Sequence, residues 1–325
     1  MKVSKVFALG GLLAFSILHF LKIGFAILFI GTLKKIRFTK KSTYLIFLIL
    51  SLLIAGSLLN GANISNVIGK IIKVFIILKF FESRYVYAPS NIFVVVFLII
   101  HFIFSFFQYD NLDEGFMINR LSGFFYDSNF AGFTLLCLYL NKQRTFLVKL
   151  LIFLSILLTQ SVGSIAILIL IQLGLFRFIS KNILLLTFIL IHISIGVFLF
   201  FNQIDTYIIN DYSGTVDMKV NSLFFRFAAI NSALFTSLPS TFDILFGHGS
   251  GVASVIYGRT FHNYIFQTLY DHGLLFFFTV SIYLWKNISK RNFNILLIIL
   301  ASNLFYETIW SLGFLLFIIL DYDEI

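Results

Sequence analysis

Charged side chains are scarce in this chain of 325 residues, where they make up 12% of the composition. A soluble domain has about 25% charged and about 45–50% apolar residues. Here the hydrophobic residues reach 59% and the mean hydropathy is +0.99. So little polar surface cannot cover the core of a soluble protein. The composition therefore excludes an ordinary soluble globular domain and favours an integral membrane protein.

Cysteine is almost absent as well. The single residue of this type, Cys137, lies in an apolar run, so no disulfide can form within the chain. The sequence also lacks a histidine pair at metal-ligand spacing, a Walker loop, a serine elbow and an Asp-x-Asp pair. None of these motifs therefore indicates a metal or a cofactor.

Long apolar runs recur along the chain, and runs of this kind are typical of transmembrane helices. The stretches 6–33 and 293–320 each fit either one long helix or two short ones. We expect an all-α, polytopic transmembrane bundle of about 10–12 helices, forming one membrane domain over 1–325. The clearest predicted spans are 44–60, 64–81, 91–108, 124–140, 146–159, 163–180, 183–201 and 262–285.

Basic residues cluster in short loops, and these loops predict the orientation of the bundle. They fall on one side when the predicted spans are threaded, and that side should be cytoplasmic. The net charge of +10 is therefore explained by topology, and nucleic acid is not an expected partner. The basic loops are 34–41, 141–144, 177–182 and 286–292.

The opposite side holds one long extracytoplasmic loop, 202–261. Within it, "SLFFRFAAINSALF" (222–235) has apolar residues at helical spacing with Arg226 and Asn231 between them. We predict an amphipathic helix that lies at the outer membrane interface.

Two polar clusters lie at the outer ends of predicted helices. "NRLSGFFYDSNFAG" (119–132) contains Arg120, Asp127 and Asn129. Helix capping would explain Asp127 and Asn129, but it would not explain the arginine. The second cluster, "TQSVGS" (159–164), fits either a plain turn between closely packed helices or a phosphate cradle.

A third cluster is the longest, "LFGHGSGVASVIYGRTFHNYIFQTLYDHG" (245–273). Gly247, Gly249 and Gly251 permit an unusual backbone. Arg259 and His262 meet at the entrance of a predicted span. A lone histidine there would ordinarily be a hydrogen-bonded cap, and the nearby arginines favour a functional interpretation. Asp271 and His272 lie nearly three helical turns below His262, so neither is expected to be catalytic.

These pieces, in this order, resemble the superfamily of O-antigen polymerases (Wzy) and O-antigen ligases. The matching pieces are "RLSGFFYDSNFAG", "TQSVGSIA", "RFAAINSALF" and "LFGHGSG…FHNYIFQTLYDHG", within about 120–280. The ligase signature is His, then Asn, Ser or Gln, then nine residues, then Gly, as in His262, Asn263 and Gly273. That pattern also expects Gly, Thr or Asn beyond the glycine, where this chain has Phe278. The difference favours a polymerase. Ser128 also replaces the proline that usually precedes the asparagine of the first motif.

The resemblance implies a metal-independent, inverting glycosyltransferase in the bacterial inner membrane, with its active site facing the periplasm or cell exterior. Donor and acceptor would be undecaprenyl-diphosphate-linked oligosaccharides, for O-antigen, capsule or exopolysaccharide synthesis. Membrane lipids and a chain-length regulator are further candidate partners. Guanidinium groups suit the diphosphate leaving group, and a histidine suits deprotonation of the acceptor hydroxyl. The implied catalytic residues are His262, Arg226 and Arg120, and the implied substrate-binding residues are Arg259, Asn263, Asn129, Asp127 and Gly249.

Two other functions fit parts of the sequence. A ligase that transfers glycan to the lipid A core would use the same histidine, and the ligase signature is met in part. A transporter or flippase would be a non-enzymatic alternative. Transporters often contain inverted repeats and broken helices at the midplane. We find no such repeat in the sequence, and the polar clusters lie on one predicted face.

Overall fold

The fold is known from a computed structural model, and all the described residues that form regular structure are helical. These residues include no β-strand, which confirms the all-α prediction. The predicted helices in 6–33 and 293–320 lie outside the described residues. The described residues are 40–60, 64–82, 90–107, 121, 123, 128–140, 144–174, 180–202, 215–236, 240–256, 261 and 263–287.

Eleven α-helices follow one another in this part of the chain, and the π-helical turn Ser232–Thr236 extends the eighth. They are α1 Lys40–Leu59, α2 Ile64–Glu82, α3 Asn91–Phe107, α4 Ser128–Leu140, α5 Phe146–Leu158, α6 Val162–Gln172, α7 Lys181–Phe201, α8 Thr215–Asn231, α9 Thr241–Phe246, α10 Val252–Ile256 and α11 Tyr264–Asn287.

The predicted helix over 163–180 is too long. In the structure α6 ends at Gln172, and Gly174 follows with a φ of 65°. Glycine adopts this left-handed conformation without the steric cost that other residues meet, so it commonly ends a helix. The N-terminal ends are set by serine caps, since Ser161 begins α6 and Ser180 begins α7.

The segment predicted as one long loop, 202–261, contains helices of its own. The predicted helix over 222–235 is confirmed, although it begins earlier, at Thr215, and its last turn is π-helical. Two short helices that the sequence pattern did not predict, α9 and α10, then flank the three closely spaced glycines. The interfacial location of α8 stays a prediction.

Many helices expose apolar side chains and bury polar ones. Along α7, Ile183, Leu186 and Ile189 are exposed, whereas His192 is buried. Soluble proteins show the reverse preference. Two described helices are long and apolar enough to cross a membrane, over Ser42–Leu59 and Tyr264–Lys286, and six further apolar helices are shorter. The predicted number of membrane crossings therefore stays a prediction.

The chain divides into two compact units. In its described part, the first contains α3 to α6, with the end of α2 from Ile76. Helix α4 lies at its centre, since it contacts both α5 and α6 and is buried from Ala131 to Leu138. Gly132 lets α4 approach the turn before α6, because a Cβ there would lie 2.5 Å from Ser164 Oγ and 2.9 Å from Ser161 Cβ.

The second unit contains α1, α2 up to Phe75, and α7 to α11. Helix α11 is its main packing element, since α1, α9 and α10 all contact it. A core cluster joins α7, α8, the π-helical turn, α10 and α11. Its buried members are Leu199, Ile230, Ala233, Ala253, Phe261, Phe266 and Tyr270.

We predict that Gly132→Ala destabilises the protein by about 1–3 kcal/mol, because the added methyl group overpacks the contact with Ser161 and Ser164. Thermal unfolding in detergent, followed by circular dichroism, measures the change. The matched control is Gly69→Ala in α2, where an added Cβ would meet nothing within 4 Å. The control should be neutral or stabilising by up to about 1 kcal/mol, since alanine favours helix more than glycine does. Equal unfolding temperatures for the two variants would contradict this packing.

Candidate functional site

The three closely spaced glycines form a loop between α9 and α10, which we call the glycine loop, 247–251. Gly247, Gly249 and Gly251 have φ values of 76°, 102° and 81°. Residues that carry a Cβ rarely adopt these positive φ values. The requirement for glycine is therefore conformational at each of the three positions.

Helix α11 is broken at Gly273, and the glycine loop packs against the break. Gly273 has a φ of 74° and a ψ of 176°, so the helical hydrogen bonds are interrupted there. The carbonyls of Tyr270 and Asp271 instead accept from the amides of His248 at 2.8 Å and Gly249 at 2.9 Å. In an unbroken helix these two carbonyls would accept from amides four residues later in the same helix. The amides of the glycine loop take the place of those donors.

Two glycines make this close approach possible. A Cβ at Gly273 would lie 2.3 Å from the carbonyl oxygen of Leu245, and one at Gly247 would lie 2.4 Å from the amide nitrogen of His272. Neither position can take a larger residue without moving backbone against backbone. This explains Gly273, which the sequence analysis connected to the ligase signature.

The carboxylate of Asp271 ties the far end of the glycine loop to α11. It accepts hydrogen bonds from Gly251 N at 3.1 Å, from Ala253 N at 3.3 Å and from the side chain of Gln267 at 2.8 Å. Asp271 is 2% exposed. A buried carboxylate is stable in such a place when donors surround it. Asp271, for which the sequence indicated no role, is therefore the residue that holds the loop.

Helix α1 covers the other side of the glycine loop. Asn60 donates from its side-chain nitrogen to the carbonyls of Gly56 and Gly247, each at 2.9 Å. Ser250 N donates to Ser57 Oγ at 3.4 Å. Together with the contacts to α11, these bonds use the loop's amides within the protein. The side chains of His248, Ser250 and Asn60 are thus better placed than the loop amides to meet a ligand.

His248 is a partly buried histidine of this loop. Its ring stacks on Tyr270, with ring centroids 4.2 Å apart and planes inclined by 7°. Nδ1 lies 3.3 Å from the carbonyl oxygen of Tyr270, and Nε2 lies 3.9 Å from Asp243 Oδ2. Asp243 in turn forms a capping box with Ser240 at the start of α9. The ring of His248 is therefore held between Tyr270 of α11 and Asp243 of α9.

Asn263 is buried at the start of α11 and caps that helix. Its Oδ1 accepts from Ile265 N at 3.1 Å and from Phe266 N at 3.2 Å. Its side-chain nitrogen lies 3.1 Å from His192 Nε2. The predicted substrate-binding role of Asn263 stays a prediction, and in the structure its side chain is already engaged in capping.

Arg226 lies on α8, next to Phe227, which packs against the core cluster of the second unit. The arginine itself is half-buried. The same cluster includes Ala253 beside the glycine loop and Phe261 and Tyr270 of the α11 region. The structure thus gathers the arginine-bearing helix, the glycine loop and the beginning of α11 around one core, although they are separated in sequence.

The first unit brings together the other two polar clusters. Leu121 N donates to the carbonyl of Leu158, directly before the turn at 159–164, at 2.9 Å. Gly123 N donates to Ser105 Oγ of α3 at 2.8 Å. The turn itself is built from hydroxyl contacts, such as the 2.9 Å distance between the Oγ atoms of Ser161 and Ser164. It acts as the cap of α6, which supports its interpretation as a structural turn.

The predicted site residues divide into three groups. Gly249, Asn263 and Arg226 belong to the second unit, and Asn129 lies on α4 in the first unit. The predictions for His262, Arg120, Arg259 and Asp127 lie outside the described residues. Within the described ranges no group of three or more His, Cys, Asp or Glu residues could hold a metal ion.

Four buried or bridging polar residues of the second unit acquire a role only through the fold. Gln267 and Asp271 are four residues apart in an apolar run, a spacing that places them on one helix face. Asn60 stands in a polar stretch after α1, and His192 stands in an apolar run, and nothing nearby in sequence indicates their partners. Residues of this kind are found only through contacts that the fold creates.

Comparison with known proteins adds no relative to these observations. No protein-family model, no curated protein and no solved structure matches the chain.

We predict that Asp271→Ala strongly destabilises the second unit, because three buried or partly buried donors lose their acceptor at a cost of about 1–3 kcal/mol each. Limited proteolysis within 247–256 and thermal unfolding in detergent measure the effect. The matched control is Asp243→Ala, which removes a partly exposed carboxylate from a helix cap and should cost only about 1 kcal/mol. If Asp271→Ala is no more sensitive to protease than the control, the carboxylate does not hold the glycine loop.

Proposed function

We propose that this chain is an oligosaccharide repeat-unit polymerase of the bacterial inner membrane. It joins undecaprenyl-diphosphate-linked glycans at the outer leaflet, for O-antigen, capsule or exopolysaccharide synthesis. One observation carries most of the proposal. "FGHGSG" and "HNYIFQTLYDHG", motifs through which the chain resembles O-antigen polymerases and ligases, are joined by direct hydrogen bonds at the break in α11. The helix with Arg226 packs on the same core.

The distribution of polar groups supports a membrane location. Large apolar side chains are exposed on most described helices, and several polar side chains are almost fully buried, including His192, Gln267 and Asp271. In a lipid environment exposed apolar surface carries no penalty, and polar side chains are placed inside the protein. Broken helices are also tolerated in membranes when other backbone or side-chain groups satisfy the freed hydrogen bonds. The glycine loop does this at α11.

The proposed reaction needs no metal ion and no nucleotide. His262 accepts the proton of an acceptor-sugar hydroxyl, whose oxygen attacks the anomeric carbon of the donor glycan. The bond from that carbon to the diphosphate oxygen breaks, and undecaprenyl diphosphate leaves with the electron pair. Direct displacement inverts the anomeric centre. Arg120, Arg226 and Arg259 neutralise the charge that develops on the leaving diphosphate.

A ligase is the closest alternative, because it would use the same histidine with a different acceptor. Phe278, which stands where the ligase pattern expects a small or polar residue, favours the polymerase. A transporter or flippase is the alternative outside enzymes, and the helix break at Gly273 is a feature that transporters also use. Flux of labelled lipid-linked glycan across proteoliposomes without new glycosidic bonds would favour the transporter.

We predict that His262→Ala lowers the rate of glycan extension by about 10²–10⁴-fold, the usual contribution of a general base. Arg226→Ala should lower it by about 10²–10³-fold, through lost charge stabilisation. Extension of lipid-linked glycan in isolated membranes, read as product length on gels, measures both effects, while immunoblotting checks that each variant still inserts.

The control for lost positive charge is Lys286→Ala, at the exposed end of α11 on the predicted cytoplasmic side. It should leave extension unchanged. Normal extension by either His262→Ala or Arg226→Ala would show that the residue concerned is not catalytic.

A further inference from the structure

A buried glutamine connects the start of α11 to the glycine loop. Gln267 is 2% exposed. Its Oε1 accepts from Phe261 N at 2.8 Å, and its Nε2 donates to Asp271 Oδ2 at 2.8 Å. Asp271 in turn accepts from Gly251 and Ala253. One side chain thus fixes the backbone that enters α11 relative to the loop that packs against its break.

The next described residue along the chain is fixed from a different helix. His192 Nδ1 lies 2.8 Å from the carbonyl oxygen of Phe188, so this nitrogen carries the hydrogen. Nε2 then accepts the hydrogen bond from the side-chain nitrogen of Asn263 at 3.1 Å. His192 is 5% exposed and Asn263 is 6% exposed. In the sequence, the two fixed residues Phe261 and Asn263 stand on either side of position 262.

The chemistry of the two partners specifies an amide at position 267. Phe261 N requires an acceptor and the Asp271 carboxylate requires a donor, and glutamine offers both from one planar group. Leucine offers neither, and an ionised glutamate cannot donate. A buried polar side chain costs free energy unless it is fully hydrogen-bonded. Gln267 meets that condition, whereas an apolar residue would fill the same space but would remove the side-chain acceptor of Phe261 N and one of the three donors to Asp271.

We propose that Gln267 and His192 are positioning residues, which hold Phe261 and Asn263, the two neighbours of His262 in the sequence. This inference rests on the proposed function, in which His262 is the general base. Both side chains are at most 5% exposed, so we expect them to act through their neighbours. Gln267 acts through Phe261, and its loss should change kcat more than KM. Misplacement of a reacting group by about 1 Å can cost about 10²-fold in rate.

The first test is Gln267→Leu in the purified full chain. We expect kcat for glycan extension to fall by about 10-fold or more, with KM for the lipid-linked substrate changed by less than the fall in kcat. Hydrogen–deuterium exchange should also show faster exchange of the Phe261 amide, since it loses its acceptor. Gln172→Leu is the matched control, because Gln172 is an exposed glutamine at the end of α6. It should change neither kcat nor this exchange rate.

The second test is a pH profile, which a purely structural role would not move. In Gln267→Glu, two carboxylates stand within hydrogen-bonding distance, so they share one proton at low pH and repel each other when it is lost. Activity of this variant should fall as the pH rises, over a range where the unaltered protein is constant. Asp271 is the charged group in direct contact with this position. Other titratable or charged groups of the elements packed here are His272, His192, His248 of the loop, and Lys70 of α2, which acts electrostatically on His272.

The double variant Gln267→Glu with Asp271→Asn exchanges the amide and the carboxylate. It restores one donor–acceptor pair with a single negative charge, so the added pH dependence should disappear and part of the kcat should return.

The positioning role is overturned if Gln267→Leu keeps its kcat. It is overturned equally if the loss appears in KM, if the Phe261 amide exchanges as before, or if the double variant is no better than Gln267→Glu. A wholly inactive unaltered protein would overturn the proposed function instead. The exchange measurement needs no substrate and still decides whether Gln267 holds Phe261.

Discussion

Asp271 accepts three hydrogen bonds at the point where α11 breaks, from Gly251, Ala253 and Gln267. The break frees backbone carbonyls in the interior of an apolar helix, where each unsatisfied group would be costly. The glycine loop supplies donors to these carbonyls, and it can approach closely because Gly247 and Gly273 carry no side chain. The carboxylate and the two glycines therefore depend on each other, and the arrangement of α1, α9 and α10 around α11 depends on all three.

The same contacts give a physical basis for the proposed function. An enzyme that acts on a lipid-linked glycan needs polar groups at fixed positions in an apolar setting. In the second unit, these groups are fixed by buried side chains rather than by water. His192 orients Asn263, and Gln267 joins Phe261 to Asp271. These hydrogen bonds join α7, the start of α11 and the glycine loop, which makes the arrangement rigid. Rigid placement is what charge stabilisation in a transition state requires.

The sequence predicts the positions of helices well because long apolar runs report burial or lipid contact directly. The predicted span over 183–201 corresponds closely to α7, for example, and the predicted helix over 222–235 lies within α8 and its π-helical turn. Asp271 could not be interpreted in this way. In a continuous helix Asp271 would lie nearly three turns from His262, which indicates no role for it. The helix break at Gly273 brings the glycine loop against α11, and Asp271 then binds the amides of that loop. Asn60 binds a carbonyl 187 residues away and Asn263 binds a side chain 71 residues away, so no local pattern indicates these bonds.

The central claim is that the chain lengthens lipid-linked glycans. Purified protein in proteoliposomes, supplied with a defined undecaprenyl-diphosphate-linked repeat unit and no nucleotide sugar or metal ion, tests it most directly. The account predicts a ladder of products that differ by one repeat unit, with release of undecaprenyl diphosphate. An unchanged repeat unit, or a single transfer that occurs only when lipid A core is added, would contradict it.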